Sequence, residues 1–321
     1  GAAAPDEPWA QLLRAELARR RLDPAAELEA WLAILEGAPD HPLAIVAAGR
    51  LDRFDDRSPE LADRLRAAAT ALLADPRVVG EVRVRVRGAL RRALRGAGAE
   101  GYARLVAESG IVTAGSVVGP LSAWHFLDAG KAFPPEARAP VAARYAGREL
   151  RPFSFPTGSI SLRGEEPEGD VYYVLTVAEV AEGGLHALRL GTAASTTAAV
   201  AIDGVPLLER RALDGSAATL ATRAIELERG AHLIALRVVR GRGPGSVQLA
   251  LAPLDGGAAA VSFRAAMPGD RPGVPPRPVD DEGLRLATDP AALADALAGE
   301  GGVVGAWAAA LHAQRTDVQA A

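Results

Sequence analysis

Five histidines are the first residues to consider for catalysis or metal binding: His41, His125, His186, His232 and His312. No HExxH motif or His-x-His pair occurs, so a zinc site or a catalytic triad would have to combine side chains from distant parts of the chain. The chain has no cysteine, which excludes thiolate catalysis and cysteine-ligated metals within it. GxSxG and P-loop motifs are also absent. We therefore expect no catalytic residue, no cofactor and no metal ion.

An acidic cluster precedes a long apolar run, and it consists of Glu165, Glu166, Glu168 and Asp170. Neighbouring carboxylates bind a divalent ion or act as an acid–base pair in some proteins. The alternative is a hydrated surface loop, which we favour, and we assign no metal to the cluster. The glycine-rich segment 241–245 links two predicted strands, so we interpret it as a hairpin loop and not as a phosphate-binding loop.

Aromatic residues make up only 4% of the chain but are concentrated in one region. The members of this group are Trp124, Phe126, Phe133, Phe153 and Phe155. Exposed aromatic rings stack on sugars or anchor peptides, whereas buried ones fill a core. We favour core packing for the group as a whole, and the residues that we assign to ligand contact are Trp124, Phe126 and Phe133, with Trp124 as the first choice.

Composition limits the partners. The formal net charge of −4 provides no basic field for nucleic acid. No apolar run reaches the length of a membrane span, so any membrane attachment would be peripheral, through a lipid anchor at most. We expect a protein partner, with a glycan as the second possibility.

The elements that position these residues change in character along the 321-residue chain. Residues 1–109 have apolar side chains at helical spacing, as in the stripe of Trp9, Leu12, Leu13 and Leu17. N-capping side chains precede prolines at Asp23-Pro24, Ser58-Pro59 and Asp75-Pro76. From residue 110 the period becomes two, with one packed and one wet face per strand. We predict a helical domain over 1–109, a β-sandwich over 110–268, a Pro-rich linker over 269–285 and a helical hairpin over 286–321.

The segment VVGEVRVRVRGALRRALR at 78–95 fits both periods. Its valines alternate with arginines as in a strand, but they also fall on one helical face, and Asp75-Pro76 favours a helix start. We predict a helix. Its arginines, Arg83, Arg87, Arg91 and Arg95, form either a basic ridge for an anionic partner or a solvated face, and we favour the solvated face.

The hairpin at Asp203-Gly204 follows the strand AVAI and precedes the strand VPLLE. Asp-Gly is a preferred sequence for a two-residue type I′ turn, in which both central residues take positive φ. We predict that the turn is structural and not chemical, and that Asp203→Asn leaves the fold intact.

The region from Leu28 to Leu51 resembles a tetratricopeptide repeat, with Trp and Leu on one helix and small residues on the next. The region 111–256 resembles the jelly-roll sandwich near the start of large bacterial envelope proteins, where tetratricopeptide-like helices precede a transglutaminase-like region. The shared pieces are mainly turns: Gly119-Pro120, Phe133-Pro134-Pro135-Glu136, Leu190-Gly191, Asp203-Gly204 and Arg229-Gly230. This resemblance implies an α+β multidomain protein: an antiparallel helical solenoid, then a jelly-roll or galactose-binding-like sandwich, then a short helical hairpin.

The same hairpins resemble the protective-antigen-type lectin sandwich, which binds calcium and a sugar through consecutive Asp residues. Here that stretch is Thr192–Thr197, which has no carboxylate, so we expect no calcium.

The resemblances imply a non-enzymatic binding or scaffold module that contacts a protein through its solenoid. The alternatives are a carbohydrate-binding module and the non-catalytic part of a transglutaminase-like enzyme or protease. The small residues Gly1–Pro5 are typical of a tether after a lipid-attached cysteine, which predicts a periplasmic or surface location.

Overall fold

The computed structural model describes residues 7–54, 58–95, 99–121, 133–162, 171–193, 196–210, 219–239, 246–284, 292–299 and 305. These residues form two compact units. The helical unit takes its described residues from 1–105, 254–257 and 282–318, and the sheet unit takes them from 106–253 and 258–281. The α+β composition predicted from the sequence is therefore confirmed.

The helices begin mostly at proline. They are α1 (Pro8–Arg20), α2 (Pro24–Gly37), α3 (Pro42–Arg50), a 3₁₀ turn (Leu51–Arg53), α4 (Pro59–Ala74), α5 (Gly80–Ala93) and α6 (Ala99–Glu108). Asp23 and Ser58 cap α2 and α4 as predicted, because their side-chain oxygens accept the backbone N–H groups of Ala26 and Leu61. Asp75 is the C-terminal capping residue of α4 and does not N-cap the next helix. Its carboxylate accepts the backbone N–H of Arg77, and the next helix begins only at Gly80.

The core of the helical unit is centred on α2, where Trp31 is fully buried. The predicted stripe on α1 is half wrong, because Leu12 is buried but Leu13 and Leu17 are 42% and 53% exposed. Residues 292–299 are helical, and Leu293 and Leu297 pack in the same core. The second helix predicted for the C-terminal hairpin lies outside the described residues, apart from residue 305.

The ambiguous arginine-rich segment forms helix α5, as predicted, but its arginines do not form a solvated face. Arg87 and Arg91 are buried. The guanidinium of Arg87 donates to the carbonyl oxygens of Gly256 and Gly257, at 2.9 and 3.1 Å. A guanidinium carries five N–H donors, so backbone carbonyls as well as carboxylates can act as its acceptors inside a core. The charge pattern alone did not reveal these acceptors, because they come from another part of the chain.

The sheet unit is antiparallel throughout its described strands. They are β1 (Ala114–Val118), β2 (Arg144–Tyr145), β3 (Arg148–Glu149), β4 (Arg151–Ser154), β5 (Ile160–Ser161), β6 (Val171–Val180), β7 (Gly184–Thr192), β8 (Thr197–Ile202), β9 (Val205–Arg210), β10 (Thr219–Leu227), β11 (Gly230–Val239), β12 (Ser246–Pro253), β13 (Val261–Ala265) and β14 (Arg277–Val279). One sheet has the order β4-β1-β6-β11-β8-β9, with β13 also paired to β6. The second has the order β14-β10-β7-β12-β5, and β2 and β3 form a separate pair.

Two apolar clusters hold the larger sheet. The first lies between the two sheets and includes Val174 of β6, Ile234 of β11 and Leu188 of β7. The second lies on the opposite face of β6 and β11, around Tyr173 and Leu233. The prediction of one wet face is right for β10, where Ile225 and Leu227 are buried and Glu226 is exposed. It is wrong for β6 and β11, which are buried on both faces.

The Pro-rich segment predicted as a linker carries structure in the sheet unit. Its residues Arg277–Val279 form β14, which pairs with β10. The backbone N–H of Gly273 donates to the carboxylate of Asp203 at 2.6 Å. Proline restricts φ but leaves carbonyl groups and the flanking N–H groups available, so a Pro-rich segment can pair at a sheet edge.

Candidate functional site

A pocket of about 290 Å³ opens at one lateral edge of the sheet unit. Three aromatic residues, three charged residues and four smaller side chains line it: Phe153, Phe155, Tyr172, Arg148, Glu149, Arg151, Val117, Gly119, Ser161 and Leu162. The charged residues come from β3 and β4 and are exposed, while Phe155 and Tyr172 are buried. The pocket therefore combines an apolar floor with a polar rim.

The ends of both sheets create this opening. β4 is the edge of the larger sheet and β5, only two residues long, is the edge of the smaller one. In the register of β1 with β4, Val117 lies opposite Arg151, and Gly115 lies opposite Phe153. Successive side chains alternate between the faces of a strand, so Arg151 and Phe153 point to the same face.

The aromatic rings are held to different degrees. Phe153 is 54% exposed, which is unusual for so large an apolar side chain, whereas Phe155 joins the core between the sheets. The ring of Tyr172 packs against Gly119, where a Cβ atom would meet the ring at 2.6 Å. Glycine is therefore required at position 119 for this close approach, and Phe153 is the ring that a ligand reaches most easily.

The charges at the rim have few internal partners. The guanidinium of Arg151 lies 3.5 Å from the carboxylate of Glu149, and both side chains are mostly exposed to solvent. Within the part of the chain that the structure describes, the side chain of Arg148 has neither a hydrogen bond nor an ion pair. Ion pairs this exposed contribute about 0–1 kcal/mol, so the rim is available to a ligand.

The ligand contacts proposed from the sequence are not among the described residues that line the pocket. Trp124 and Phe126 fall outside the described residues, as does the acidic cluster at 165–170. Phe133 packs edge-on against Tyr173, with the ring centroids 6.1 Å apart, in the cluster on the opposite face of β6. It does not line the pocket, and its role in ligand binding stays a prediction.

A second polar site lies at the Asp203-Gly204 turn. The φ angles of 50° and 77° at these residues confirm the positive φ predicted for the turn. The carboxylate of Asp203 is fully buried and accepts the backbone N–H groups of Leu233 and Gly273, at 2.9 and 2.6 Å. Its second oxygen lies 2.6 Å from Nδ1 of His232. The sequence predicted the turn but gave no sign of these three partners.

The environment of His232 indicates that the ring is protonated. Its Nδ1 faces the carboxylate of Asp203, and its Nε2 lies 2.9 Å from the carbonyl oxygen of Glu228. A carboxylate and a carbonyl only accept, so beside an ionised Asp203 the ring donates to both only as an imidazolium. Burial lowers the pKa of His232, but the hydrogen bonds to Asp203 and Glu228 outweigh it and raise the pKa above its usual value.

His186 has the opposite character. Burial lowers the pKa of His186, and the nearby charge of His232 lowers it further. Its Nδ1 lies 3.0 Å from the carbonyl oxygen of Gly184, so a neutral ring donates there. No group of three or more metal-ligating side chains exists among the described residues, and these two histidines do not form a metal centre with Asp203.

A third polar cluster is buried on the outer face of β6. The hydroxyl of Tyr173 donates to the carboxylate of Glu136 at 2.5 Å, and the guanidinium of Arg237 lies 3.4 Å from the same oxygen. Burial raises the pKa of Tyr173, and the carboxylate of Glu136 raises it further. The phenol therefore stays protonated as a donor, which ties the segment around Glu136 to the sheet.

Comparisons with known proteins show no matching family and weak similarities to solved structures. No protein-family model and no curated protein matches the chain. Among solved structures, the chain is similar to a β-glucosidase from Kluyveromyces marxianus in complex with glucose, with a TM-score of 0.27 and 12% identity. The match covers 62% of this chain and 28% of the enzyme chain. The selenomethionine form of β-glucosidase from the same yeast gives a TM-score of 0.25 at 13% identity, over 61% of this chain and 27% of the other. TM-scores this low do not establish a shared fold.

One sequence signal could have located the pocket. The stretch RPFSFP places Arg151, Phe153 and Phe155 two residues apart, which brings them to one face of an extended chain. Tyr172 carries no such signal, because it lies in a strand that is apolar on both faces.

None of the helices in the described part of the chain is long and apolar enough to cross a membrane.

Proposed function

We propose that this protein is a non-enzymatic binding module whose pocket at the edge of the sheet unit binds a sugar residue. The observation that carries the proposal is the half-exposed ring of Phe153 beside charged side chains with few internal partners. A pyranose ring has an apolar C–H face and a polar hydroxyl edge. The first stacks on an aromatic ring and the second accepts and donates hydrogen bonds at the rim.

The size of the pocket supports a small ligand unit. Its volume of about 290 Å³ lies at the lower limit of small-molecule sites, which run from about 300 to 1,000 Å³. One sugar residue of a longer chain is accommodated there, whereas a large cofactor is not. The open lateral position leaves room for the rest of a glycan to extend into solvent.

The charged groups at the pocket favour binding over hydrolysis. Glycoside hydrolysis normally requires two carboxyl groups that flank the scissile bond. Among the described residues that line the pocket, Glu149 is the single carboxylate, and it lies beside Arg151. This supports a module that holds a glycan without cleaving it.

The experiment is a glycan array on the intact protein and on Phe153→Ala. We expect the wild type to bind a defined set of glycans and Phe153→Ala to lose at least tenfold in affinity. Leu185→Ala is the matched control, because Leu185 is 47% exposed but does not line the pocket. Glycan binding that survives in Phe153→Ala at full affinity would assign the sugar site elsewhere, and an empty array would reject the proposal.

A second function is supported by helix α1. Leu13 and Leu17 lie one helical turn apart and are both exposed, which is typical of a surface that contacts another protein. In this proposal the helical unit is a tetratricopeptide-like solenoid with a protein partner, and the sheet unit is a jelly roll of a bacterial envelope protein. A Leu13→Glu, Leu17→Glu variant should lose partner capture in cell extracts and keep sugar binding. Fractionation of the native protein into the cytosol would contradict the envelope location.

A further inference from the structure

We infer that the pocket is selective for an acidic sugar, a pyranose ring that bears a carboxylate, and that Arg148 is the residue that contacts this carboxylate. The inference rests on the proposed function, because it specifies the ligand of the same site. It follows from the charge, the geometry and the internal contacts of the rim.

The charge of the rim is the first argument. Two guanidinium groups, those of Arg148 and Arg151, and one carboxylate, that of Glu149, are among the described residues that line the pocket. The described lining of the pocket thus carries an excess of one positive charge, although the whole chain has a formal net charge of −4. A local charge opposite to that of the whole molecule concentrates anionic ligands at that place and not over the surface in general.

The internal contacts distinguish the two arginines. Arg151 lies 3.5 Å from Glu149, so part of its charge is already balanced. Arg148 has no such neighbour in the described residues, and Arg148 and Glu149 are consecutive residues of β3. Arg148 is the cation that a ligand can pair with at the smallest cost.

The geometry of arginine selects the type of anion. The planar guanidinium presents parallel N–H groups that match the two oxygens of a carboxylate. On a uronic acid the carboxylate projects from the edge of the pyranose ring, while the C–H face stays apolar. A ring stacked on Phe153 therefore directs its carboxylate towards the rim, where β3 lies.

The experiment compares trigalacturonate with its trimethyl ester, which has the same rings and stereochemistry but no charge. Affinities are measured by isothermal titration calorimetry or by NMR titration of the intact protein. We expect the acid to bind at least tenfold more tightly than the ester, which corresponds to about 1.4 kcal/mol. Added salt should weaken binding of the acid and leave binding of the ester unchanged.

Three variants test the assignment to Arg148. Arg148→Gln should reduce the affinity for the acid about tenfold and that for the ester by much less, because Gln keeps N–H donors for neutral oxygens but carries no charge. Glu149→Gln removes the repulsive carboxylate and should strengthen binding of the acid by two- to fivefold. Arg229→Gln, at an exposed arginine outside the pocket, should change neither. Circular dichroism establishes that each variant is folded.

The outcomes separate the two proposals. Equal affinity for acid and ester would overturn the inference and leave the proposed sugar binding in place. The inference would also be overturned if Arg148→Gln reduced the affinities for the acid and for the ester by the same factor. If neither ligand binds, and the glycan array is also empty, sugar binding itself is wrong. A preference for sulfated over carboxylated glycans of the same backbone would overturn the carboxylate assignment alone.

Discussion

The Asp203 turn and the pocket contain similar groups in opposite situations. At the turn, a buried carboxylate has two backbone N–H donors and an imidazolium as partners. At the pocket, the side chain of Arg148 has no partner in the described residues, and Phe153 is half exposed. A polar group whose partners all come from its own chain stabilises the fold. A polar group without such partners can still form hydrogen bonds or ion pairs with a ligand. The number of internal partners therefore distinguishes a structural polar group from a ligand-binding one better than residue type does.

The largest effect that tests this comparison is expected from Asp203→Ala. The variant leaves the N–H groups of Leu233 and Gly273 without an acceptor and the charge of His232 without a counter-ion. Breaking a buried pair in this way costs about 3–5 kcal/mol. Chemical unfolding measures the loss, and hydrogen exchange at the amides of Leu233 and Gly273 locates it.

Asp203→Asn is the matched control for this loss. Its amide oxygen still accepts both N–H groups, and its amide N–H donates to Nδ1 of a neutral His232. Only the charge-assisted part of the hydrogen bonding is lost, about 1 kcal/mol. Equal stabilities of the Ala and Asn variants would show that these hydrogen bonds do not hold the turn.

A smaller effect is expected from pH. The pKa of His232 is raised in the folded state, so its stabilisation is complete below the unfolded value of about 6.5 and is lost as the pH rises through the folded pKa. The pKa of His186 is lowered, so its burial costs stability as the pH falls below about 6.5. Unfolding free energy should therefore pass through a maximum near that pH.

Two variants test which histidine causes each decline in the unfolding free energy. His232→Gln should abolish the decline at higher pH and keep the decline at lower pH, and His186→Gln should do the reverse. A wild-type profile that rises steadily from pH 6 to pH 9 would show that His232 is neutral in the folded protein.

The smallest effect on stability is expected at the pocket. Phe153→Ala removes a half-exposed ring and should change the unfolding free energy by no more than about 0.5 kcal/mol. Phe155→Ala, two residues on, removes a buried ring and should cost about 3 kcal/mol or more. A large loss of stability in Phe153→Ala would assign that ring to the fold and remove it from the binding site.

The sequence predicted those features that depend on neighbouring residues. The capping side chains of Asp23 and Ser58, helix α5 and the positive φ angles at Asp203 and Gly204 all follow from local patterns. Features that depend on distant parts of the chain were missed. Arg87 finds its acceptors about 170 residues away in sequence, and Asp203 binds Gly273 across 70 residues.

The candidate site was likewise not predicted from the sequence, because it depends on contacts between distant parts of the chain. Phe153 and Phe155 were noted as aromatic residues, but the three assigned contacts did not include them. Their selection requires knowing that β4 and β5 are both sheet edges, and strand order is a tertiary property. Arg148 and Tyr172 reach the pocket from other strands, so no spacing in the sequence joins them to Phe153.

Strand β6 has a consequence for how the chain folds as it is synthesised. Its edge is shared by two short strands, since Tyr173–Leu175 pair with β1 and Thr176–Val180 pair with β13. β1 precedes β6 in the chain, whereas β13 begins about 80 residues after the end of β6 and is the last described strand of this sheet to leave the ribosome. Until then, a nascent chain that has formed the rest of this sheet exposes five residues of β6, Thr176–Val180, as an open edge. Open edges pair with other chains, so a chaperone that covers β6 during translation would protect this protein until Val261–Ala265 emerge.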